Sequence, residues 1–262
     1  MRTVIKVGTS TLAHTGGRLN IRRVELLCKI LSDLKNAGHQ ILLVSSGAIG
    51  MGVGKLGLPG RPADMPGKQA AAAVGQCELM YVYDKLFSEY NHTVAQLLLT
   101  ADDIKDPRRS VHVHDTLERL LEFGALPIIN ENDAVATDEI GIETTIGEND
   151  TLSAIVARLI GADRLILLSD IDGLYTADPH KDDHASLIPQ VTEITEEILA
   201  LAGGSGSALG SGGMATKLRA AMITMDAEID MVITNGEHPE SLYDIFDGKA
   251  VGTHFIGKKV QP

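Results

Sequence analysis

The feature that most constrains the fold is the alternation of short apolar runs with longer segments of helical period. The apolar runs are rich in β-branched residues and are bounded by Gly, Ser or Asn. The segments between them carry apolar residues every three or four positions. This alternation predicts an α/β fold of three layers, a doubly wound and mostly parallel sheet with helices on both faces. A length of 262 residues is within the range of one such domain.

The elements can be placed along the chain from this periodicity. We predict strands over residues 3–7, 41–44, 92–99, 126–129, 164–168 and 231–233. We predict helices over residues 22–37, 68–90, 111–123, 150–160 and about 216–227. The stretches 55–67, 130–147 and 203–213 lack periodicity and are rich in Gly, Pro or polar residues, so we predict loops there. The loops that follow residues 7, 44, 129 and 168, and the one before Thr216, are expected to converge at the carboxyl edge of the sheet, where such folds bind ligands.

Composition narrows the possible partners. The formal charge of −12 would repel a nucleic acid or an anionic membrane surface, so we expect neither as a partner. Cys28 and Cys77 each fall inside a predicted helix, which favours neither a disulfide framework nor a metal site. His112 and His114 have no further ligand nearby in sequence, so we assign no metal to them. The chain enters an apolar strand directly after Met1, without a signal sequence, so we expect a cytoplasmic protein.

Two motifs place a lysine beside glycine. In the run Lys-Val-Gly-Thr-Ser at 6–10, a lysine near a strand end precedes a glycine turn and two hydroxyl groups. In the run Gly-Ser-Gly-Gly-Met-Ala-Thr-Lys at 210–217, a glycine loop meets a helix and delivers a second lysine. Glycine allows backbone N–H groups to approach phosphate oxygens, and lysine neutralises their charge. Taken alone, the first motif is better explained by a surface lysine before a turn, and a disordered surface loop remains an alternative for the second.

Four polar clusters follow predicted strands or open a helix. They are Ser-Ser-Gly-Ala at 45–48, Asn-Glu-Asn-Asp at 130–133, Gly-Glu-Asn-Asp at 147–150 and Ser-Asp at 169–170. Such groups could bind a small anion, an ammonium group or a nucleotide. Each also has a structural explanation, because Ser, Asn and Asp cap helices and build turns, and a carboxylate in the first turn of a helix is stabilised by the helix dipole. The residues alone leave both explanations open.

Taken together and in this order, the motifs at Lys6, Ser45, Asn130, Ser169 and Gly212 resemble those of the amino acid kinase family along almost the whole chain. The resemblance implies catalytic roles for Lys6, Lys217 and Asp150, with the lysines flanking the transferred phosphoryl group. It implies that Ser46, Gly47, Asp133 and Asn149 bind the substrate. It implies that ATP, with Mg²⁺ bridging its phosphates, is bound by Lys6, Gly8, Thr9, Ser10, Ser169, Asp170, Ser211, Gly212, Gly213, Met214, Ala215, Thr216 and Lys217.

The resemblance also implies a reaction, the ATP-dependent phosphorylation of the L-glutamate side-chain carboxylate in the first step of proline biosynthesis. L-Proline is expected as a feedback inhibitor, and the chain is expected to form a homo-oligomer, a dimer or a tetramer. We expect a single domain over 1–262, with the amino-acid side in about 1–150 and the nucleotide side in about 151–262. Many relatives carry a further RNA-binding-like domain, and this chain is expected to be a short form without it.

Two alternatives stay open. The first is a sister kinase that acts on acetylglutamate, aspartate, carbamate or a nucleoside monophosphate. Asp133 argues against acetylglutamate, whose α-nitrogen carries no charge to pair with a carboxylate. The second is a module of the same fold that binds a nucleotide or effector without catalysis, against which the joint presence of Lys6, Asp150 and Lys217 argues.

Overall fold

The computed structural model describes residues 1–14, 18–135, 149–179, 181–202 and 213–257. Within these residues the chain forms an eight-stranded sheet. The strands are β1 (Arg2–Val7), β2 (Gln40–Ser45), β3 (Val94–Leu99), β4 (Leu126–Glu131), β5 (Arg164–Ser169), β6 (Gln190–Val191), β7 (Asp230–Asn235) and β8 (Thr253–Phe255). Their order in the sheet is β3-β4-β2-β1-β5-β7-β8-β6. Every pairing is parallel except the one between β7 and β8, so the predicted mostly parallel sheet is confirmed.

Helices lie on both faces of this sheet, as predicted. They are α1 (Thr9–Leu12), α2 (Ile21–Asn36), α3 (Ala48–Leu56), α4 (Met65–Ser88), α5 (Ala101–Lys105), α6 (Pro107–Glu122), α7 (Asn149–Leu159), α8 (Glu196–Ala200), α9 (Met214–Asp226) and α10 (Ser241–Phe246). One face carries α2, α3, α4 and α10, packed on residues such as Ile5 and Val7 of β1. The other carries α6, α7 and α9, packed on Val4. Because strand side chains alternate between faces, Lys6 lies on the same face as Val4, towards α7.

The predicted loop over residues 55–67 is wrong at both ends. Residues up to Leu56 belong to α3, and α4 begins at Met65 behind the side-chain cap of Asp64. The sequence of α3 is rich in glycine, which disfavours a helix in isolation. Close packing explains the outcome, because a Cβ atom added at Gly52 would lie 1.8 Å from the carbonyl oxygen of Ala71, and one at Gly75 would lie 1.8 Å from that of Ala48. Glycine at these positions lets α3 and α4 touch backbone to backbone.

Other differences concern element ends and short elements. The helix predicted over 111–123 begins earlier, at Pro107, because Asp106 caps it and proline suits a first turn. The strand predicted over 92–99 begins at Val94. The short elements α1, α5, α8, α10, β6 and β8 are too brief to show periodicity and were not predicted. Both cysteines are free and lie in helices, as predicted. In the ranges that the structure describes, no helix has the length and apolar character needed to cross a membrane.

Candidate active site

The carboxyl ends of β4, β2, β1 and β5 lie side by side at one edge of the sheet. These four strands are neighbours in this order, and each neighbouring pair is parallel. The loops after Val7, Val44, Ile129 and Leu168 therefore meet at one edge, as predicted. The start of α9 reaches the same edge, since Lys217 contacts the first turn of α7 there. Of the glycine-rich loop before α9, residues 203–212 lie outside the described part of the chain.

A buried carboxylate joins two lysines at the centre of this edge. Lys6 Nζ lies 2.7 Å from Asp150 Oδ1, and Lys217 Nζ lies 3.2 Å from Asp150 Oδ2. The Thr216 hydroxyl donates a hydrogen bond of 2.9 Å to Asp150 Oδ2. The side chains of Lys6 and Lys217 are only 12% and 10% exposed, and that of Asp150 is 6% exposed. The two lysines, distant in sequence, therefore share one carboxylate, which is compatible with the expectation that both flank one phosphoryl group.

The charge of Asp150 is fixed by these neighbours. Burial alone would raise the pKa of Asp150. The ammonium groups of Lys6 and Lys217 oppose this effect, as do hydrogen bonds from Lys6 and Thr216, and together they hold the pKa of Asp150 below its ordinary value. Asp150 is thus an anion between two cations, and the cluster carries one net positive charge directed at the sheet edge.

The fold places each member of this cluster for a local reason. Lys6 is the residue before the last in β1, and α7 covers its face of the sheet. Asp150 is in the first turn of α7, where the helix dipole favours a carboxylate. Lys217 lies in the first turns of α9, which follows Gly213. Gly213 has a φ of +69°, a conformation that suits glycine, and its carbonyl oxygen lies 3.0 Å from Thr216 Oγ1 and 3.4 Å from Lys217 Nζ.

A second group of side chains surrounds the turn after β2. Asn149 Nδ2 lies 2.9 Å from Ser46 Oγ, 3.1 Å from the Ser45 carbonyl oxygen and 3.0 Å from Asn130 Oδ1. Gly47 has a φ of +96°, which allows the chain to turn sharply from β2 into α3. Because Asn149 immediately precedes Asp150, this group and the lysine cluster form one continuous site. The structure therefore brings together three of the four residues predicted to bind the substrate.

The fourth, Asp133, lines a cavity beside this group. The walls of the cavity come from α4 and from the ends of β3 and β4, and they include Gln76, Gln96 and Glu131. Burial raises the pKa of Asp133, although the guanidinium of Arg61 acts in the opposite direction. Burial also raises the pKa of Glu131 to about 7, helped by the neighbouring Asp133. The cavity thus holds two carboxyl groups, and the guanidinium of Arg61 is the positive group that acts on Asp133. This arrangement suits a ligand with an ammonium group.

Replacement of Glu131 by Gln is expected to change stability in a pH-dependent way. Because the folded protein raises the pKa of Glu131 to about 7, stability is lost as pH rises from the unfolded pKa towards 7. Glu131→Gln removes this loss, so it should be more stable than the original protein at pH 8, by on the order of 2 kcal/mol, and about equal at pH 5. Urea unfolding at both pH values measures this difference. The exposed Glu89→Gln is the control, and a stability difference independent of pH would contradict the prediction.

The residues predicted to bind the nucleotide come from several elements around the lysine cluster, and one of them, Thr9, lies close to Gly47. A Cβ atom added at Gly8 would lie 3.6 Å from Lys6 Nζ and 3.7 Å from the Leu168 carbonyl oxygen, so a side chain here would begin in contact with the lysine ammonium group. Thr9 and Ser10 follow it, exposed at the start of α1. Ser169 ends β5, and its hydroxyl donates to Asp170 Oδ1 at 3.0 Å.

The remaining nucleotide residues divide between α9 and the part of the chain outside the description. Met214 opens α9 and lines a cavity with Ile171, Leu174, Tyr175 and Pro179 from the segment after β5. Ala215 and Thr216 are buried in the first turn of the helix. Ser211 and Gly212, which were also predicted to bind the nucleotide, lie outside the described residues. The start of α9 and the segment after β5 therefore border a cavity of mixed apolar and polar lining, at the end of α9 that also carries Lys217.

Sequence reasoning missed several residues of this site. Asn130 was named only as a member of a polar cluster with no role of its own, yet it is buried and hydrogen-bonded to Asn149. Gln76 was not noticed, because it lies in the middle of an Ala-rich helix. Thr216 was predicted only as a nucleotide contact, whereas it also donates to Asp150. A polar residue within an otherwise apolar helix face was the only sequence signal for Gln76.

The fold and the site define an α/β protein with two buried lysines held by one carboxylate at the carboxyl edge of its sheet. The sequence model of the amino acid kinase family matches residues 1–235 of this chain. The chain belongs to the amino acid kinase family.

Curated relatives match the chain over nearly its full length. It is 52% identical over 258 residues to the glutamate 5-kinase of Clostridium perfringens, and the matched region covers 98% of this chain and 96% of that protein. It is 53% identical over 258 residues to the glutamate 5-kinase of Listeria innocua, and the matched region covers 98% of this chain and 94% of that protein.

Solved structures of low sequence identity share the fold. An isopentenyl phosphate kinase of T. acidophilum superposes with a TM-score of 0.68 at 19% identity, covering 97% of this chain and 100% of that chain. A carbamate kinase of Giardia lamblia bound to AMP-PNP superposes with a TM-score of 0.68 at 19% identity, covering 98% of both chains. These two similarities concern the fold alone, and they agree with the predicted amino acid kinase-like architecture.

Proposed function

We propose that this protein transfers the γ-phosphoryl group of ATP to the side-chain carboxylate of L-glutamate. The observation that carries this proposal is the buried arrangement of Lys6, Asp150 and Lys217 at the carboxyl edge of the sheet. Ser46 and Asn149 lie beside it on one side, and the segment after β5 lies on the other. The names of relatives that are more than half identical support glutamate as the acceptor. The product, L-glutamyl 5-phosphate, would enter proline biosynthesis.

The chemistry needs charge neutralisation more than proton transfer. A glutamate side chain has a pKa of about 4.3, so at neutral pH it is already an ionised nucleophile and requires no general base. One carboxylate oxygen attacks the γ-phosphorus, and the bond to the β,γ-bridging oxygen breaks, with its electron pair leaving on ADP. Lys6 and Lys217 would stabilise the charge on the transferring group and on the leaving oxygen. Asp150 would hold both ammonium groups in place.

ATP would be bound on the α9 side of the lysines. We assign its phosphates to Lys6, Gly8, Lys217 and the loop before α9, and its base to the cavity beside Met214. Thr9, Ser10, Ser169, Asp170, Ser211, Gly212, Gly213, Ala215 and Thr216 complete the assignment. This division places the amino acid in the first part of the chain, about 1–150, and the nucleotide mainly in the second, about 151–262.

Mg²⁺ would be bound through the ATP phosphates. Within the described ranges, no three His, Cys, Asp or Glu residues are close enough to form a metal site. Both oxygens of Asp150 are already paired with lysine. Mg²⁺ commonly keeps several water ligands and binds through substrate phosphates with few protein groups, so these residues are compatible with that mode. When bound, the ion would neutralise part of the phosphate charge.

The amino acid would be bound by Ser46, Gly47, Asn149 and Asp133. We propose that Asp133 pairs with the α-ammonium group, because it is a half-buried carboxylate in a cavity that Gln76 also lines. Gln76 is connected to Asn149 through Asn130. An acetylated α-nitrogen would offer no charge to this group, and the carboxylate would then remain unpaired in a partly dry cavity. Asp133 therefore favours glutamate over acetylglutamate.

Replacement of Asp133 by Asn is expected to raise the KM for L-glutamate about 10- to 100-fold, since a charge-assisted hydrogen bond would be lost. The KM for ATP should change little, because Asp133 is on the amino-acid side. Initial rates at varied L-glutamate and ATP concentrations measure both values. Asp226→Asn, at the exposed far end of α9, is the control. An unchanged KM for L-glutamate would show that Asp133 does not hold the ammonium group.

The whole proposal is tested by trapping the acyl phosphate. The purified protein is incubated with ATP, Mg²⁺ and hydroxylamine in parallel samples that contain L-glutamate, N-acetyl-L-glutamate, L-aspartate or carbamate. ADP release is followed in each of these samples. A further sample with UMP as the acceptor is followed by ADP release. We expect hydroxamate and ADP with L-glutamate above all others. Turnover of another acceptor would replace glutamate by a sister substrate, and no turnover with any acceptor would favour a binding module. The addition of L-proline to the L-glutamate sample tests feedback inhibition.

Three expectations stay predictions alongside this function. They are inhibition by L-proline, assembly into a dimer or tetramer, and a cytoplasmic location. The resemblance of the motifs to the family supports the first two.

A further inference from the structure

A chain of side-chain amides connects α4 to the proposed substrate site. Gln76 Oε1 accepts a hydrogen bond of 2.8 Å from Asn130 Nδ2. Asn130 Oδ1 accepts from Asn149 Nδ2 at 3.0 Å and from the backbone N–H of Glu131 at 2.9 Å. Asn149 Nδ2 also contacts Ser46 Oγ at 2.9 Å. Asn149 thus donates both to Ser46 and to Asn130, and Asn130 in turn donates to Gln76.

The direction of this chain is set at Asn130. Its oxygen must face Asn149 and Glu131, because both present N–H groups, so its NH₂ group must face α4. Gln76 supplies the acceptor there. With the Asn130 amide turned over, two NH₂ groups would oppose each other at Asn149 and two oxygens would oppose each other at Gln76. Asn130 is 1% exposed and Gln76 is 9% exposed, so water is poorly placed to substitute for the missing partner.

The position of Gln76 follows from the packing of α4 on α3. Gly75 precedes it, and a Cβ atom at Gly75 would lie 1.8 Å from the Ala48 carbonyl oxygen. Ala48 opens α3 directly after Ser46 and Gly47. The missing side chain at Gly75 therefore brings α4 against the turn that carries Ser46, and the next residue reaches the carboxyl end of β4. A glycine contact and a buried hydrogen bond, which are separate observations, both place Gln76 at this site.

We propose that Gln76 is a positioning residue for the amino-acid substrate. It fixes the orientation of the Asn130 amide, and Asn130 in turn holds Asn149 against Ser46. The inference rests on the proposed function, since it assigns Asn149 and Ser46 to the substrate. Without the acceptor on Gln76, the buried NH₂ of Asn130 loses its partner, and the orientation of the Asn130 amide then depends on the N–H groups of Glu131 and Asn149. Gln76 itself makes no contribution to the phosphoryl transfer.

The test compares substitutions that remove or keep the acceptor. Gln76→Met keeps the length of the side chain and removes the strong acceptor, and Gln76→Leu removes it with a branched side chain. Gln76→Glu keeps an oxygen that can accept from Asn130 Nδ2. We expect Met and Leu to raise the KM for L-glutamate about tenfold, the effect of one buried hydrogen bond, with the KM for ATP within about twofold. Gln76→Glu should restore a KM close to the original value.

Two controls separate positioning from a general loss of structure. Gln40→Leu makes the same chemical change at the opposite end of β2, where Gln40 is exposed and contacts Arg2, and it should leave both KM values unchanged. In an Asn149→Ala background, Gln76→Met should add little to the KM for L-glutamate, because the residue through which it acts is absent. Melting temperatures of all variants show whether each is folded at the assay temperature.

The inference is overturned if Gln76→Met and Gln76→Leu leave the KM for L-glutamate unchanged, or if Gln76→Glu is as impaired as they are. It is also overturned if the effects of Gln76→Met and Asn149→Ala add in full. If Gln76→Leu does not fold, the comparison of the KM for L-glutamate between Gln76→Met and Gln76→Glu decides. If the original protein does not phosphorylate L-glutamate, the proposed function is wrong. This result differs from an unchanged KM in the Gln76 variants, so failure of the function and failure of the inference are distinguishable.

Discussion

Replacement of Lys217 by Met is expected to lower kcat by about 10³- to 10⁵-fold, and Lys6→Met should have an effect of similar size, because each substitution removes a charge directed at the transferred phosphoryl group. Methionine keeps the length and the apolar stem of lysine. In the Lys217 variant, Asp150 keeps Lys6 as its partner. We expect it also to keep the hydrogen bond of 2.9 Å from the Thr216 hydroxyl, which favours an unchanged position of Thr216. The protein should therefore stay folded while turnover collapses. Coupled detection of ADP at saturating ATP and L-glutamate measures kcat.

The matched control for the lysine variants is Lys249→Met. Lys249 is an exposed lysine that pairs with Asp244 at 2.6 Å, and an ion pair at the surface contributes little to stability. Its kcat should equal that of the original protein. Near-normal turnover in either Lys6→Met or Lys217→Met, in a protein with an unchanged melting temperature, would remove that lysine from the mechanism.

The fold could be predicted where local pattern and tertiary structure agree. The buried strands β1, β2, β4 and β5 each contain a short apolar run, which Lys6 interrupts in β1, and their prediction is confirmed to within a residue or two. The helix α3 could not be predicted, because its glycines are unfavourable locally and become favourable only against α4. The last strands, β6 and β8, are two and three residues long. Elements of that length depend on their neighbours, since they have no periodicity of their own.

The site divides in the same way. Lys6, Asp150 and Lys217 could be proposed from their motifs, whose order along the chain resembles that of a family. Their shared contact could not be derived from spacing, because Asp150 and Lys217 are 67 residues apart and meet only when α7 and α9 pack together. The raised pKa of Glu131 depends on burial and on Asp133, which a sequence does not report. Gln76 needs both the glycine contact at Gly75 and the buried amide of Asn130 to acquire its proposed role.

Replacement of Asp150 by Asn should have the second large effect, and on two properties at once. An amide can offer only one oxygen, so its NH₂ group would face one of the two ammonium groups that the carboxylate now pairs at 2.7 and 3.2 Å. Removal of one partner from a buried ion pair costs about 3–5 kcal/mol, and we expect a loss of stability of this order. We also expect kcat to fall by about 10²- to 10⁴-fold, because Lys6 and Lys217 would no longer be held in position.

The response to ATP distinguishes this role of Asp150 from a purely structural one. In Asp150→Asn, two buried ammonium groups lack a counter-charge, and the phosphates of ATP would supply one. ATP should therefore raise the melting temperature of this variant more than that of the original protein, whereas Lys217→Met should respond less than the original. Asp244→Asn, the partner of the surface control, should respond like the original protein. If ATP raises the melting temperature of Asp150→Asn no more than that of the original protein, the phosphates do not supply the missing counter-charge, and the proposed contact of the two lysines with ATP is wrong.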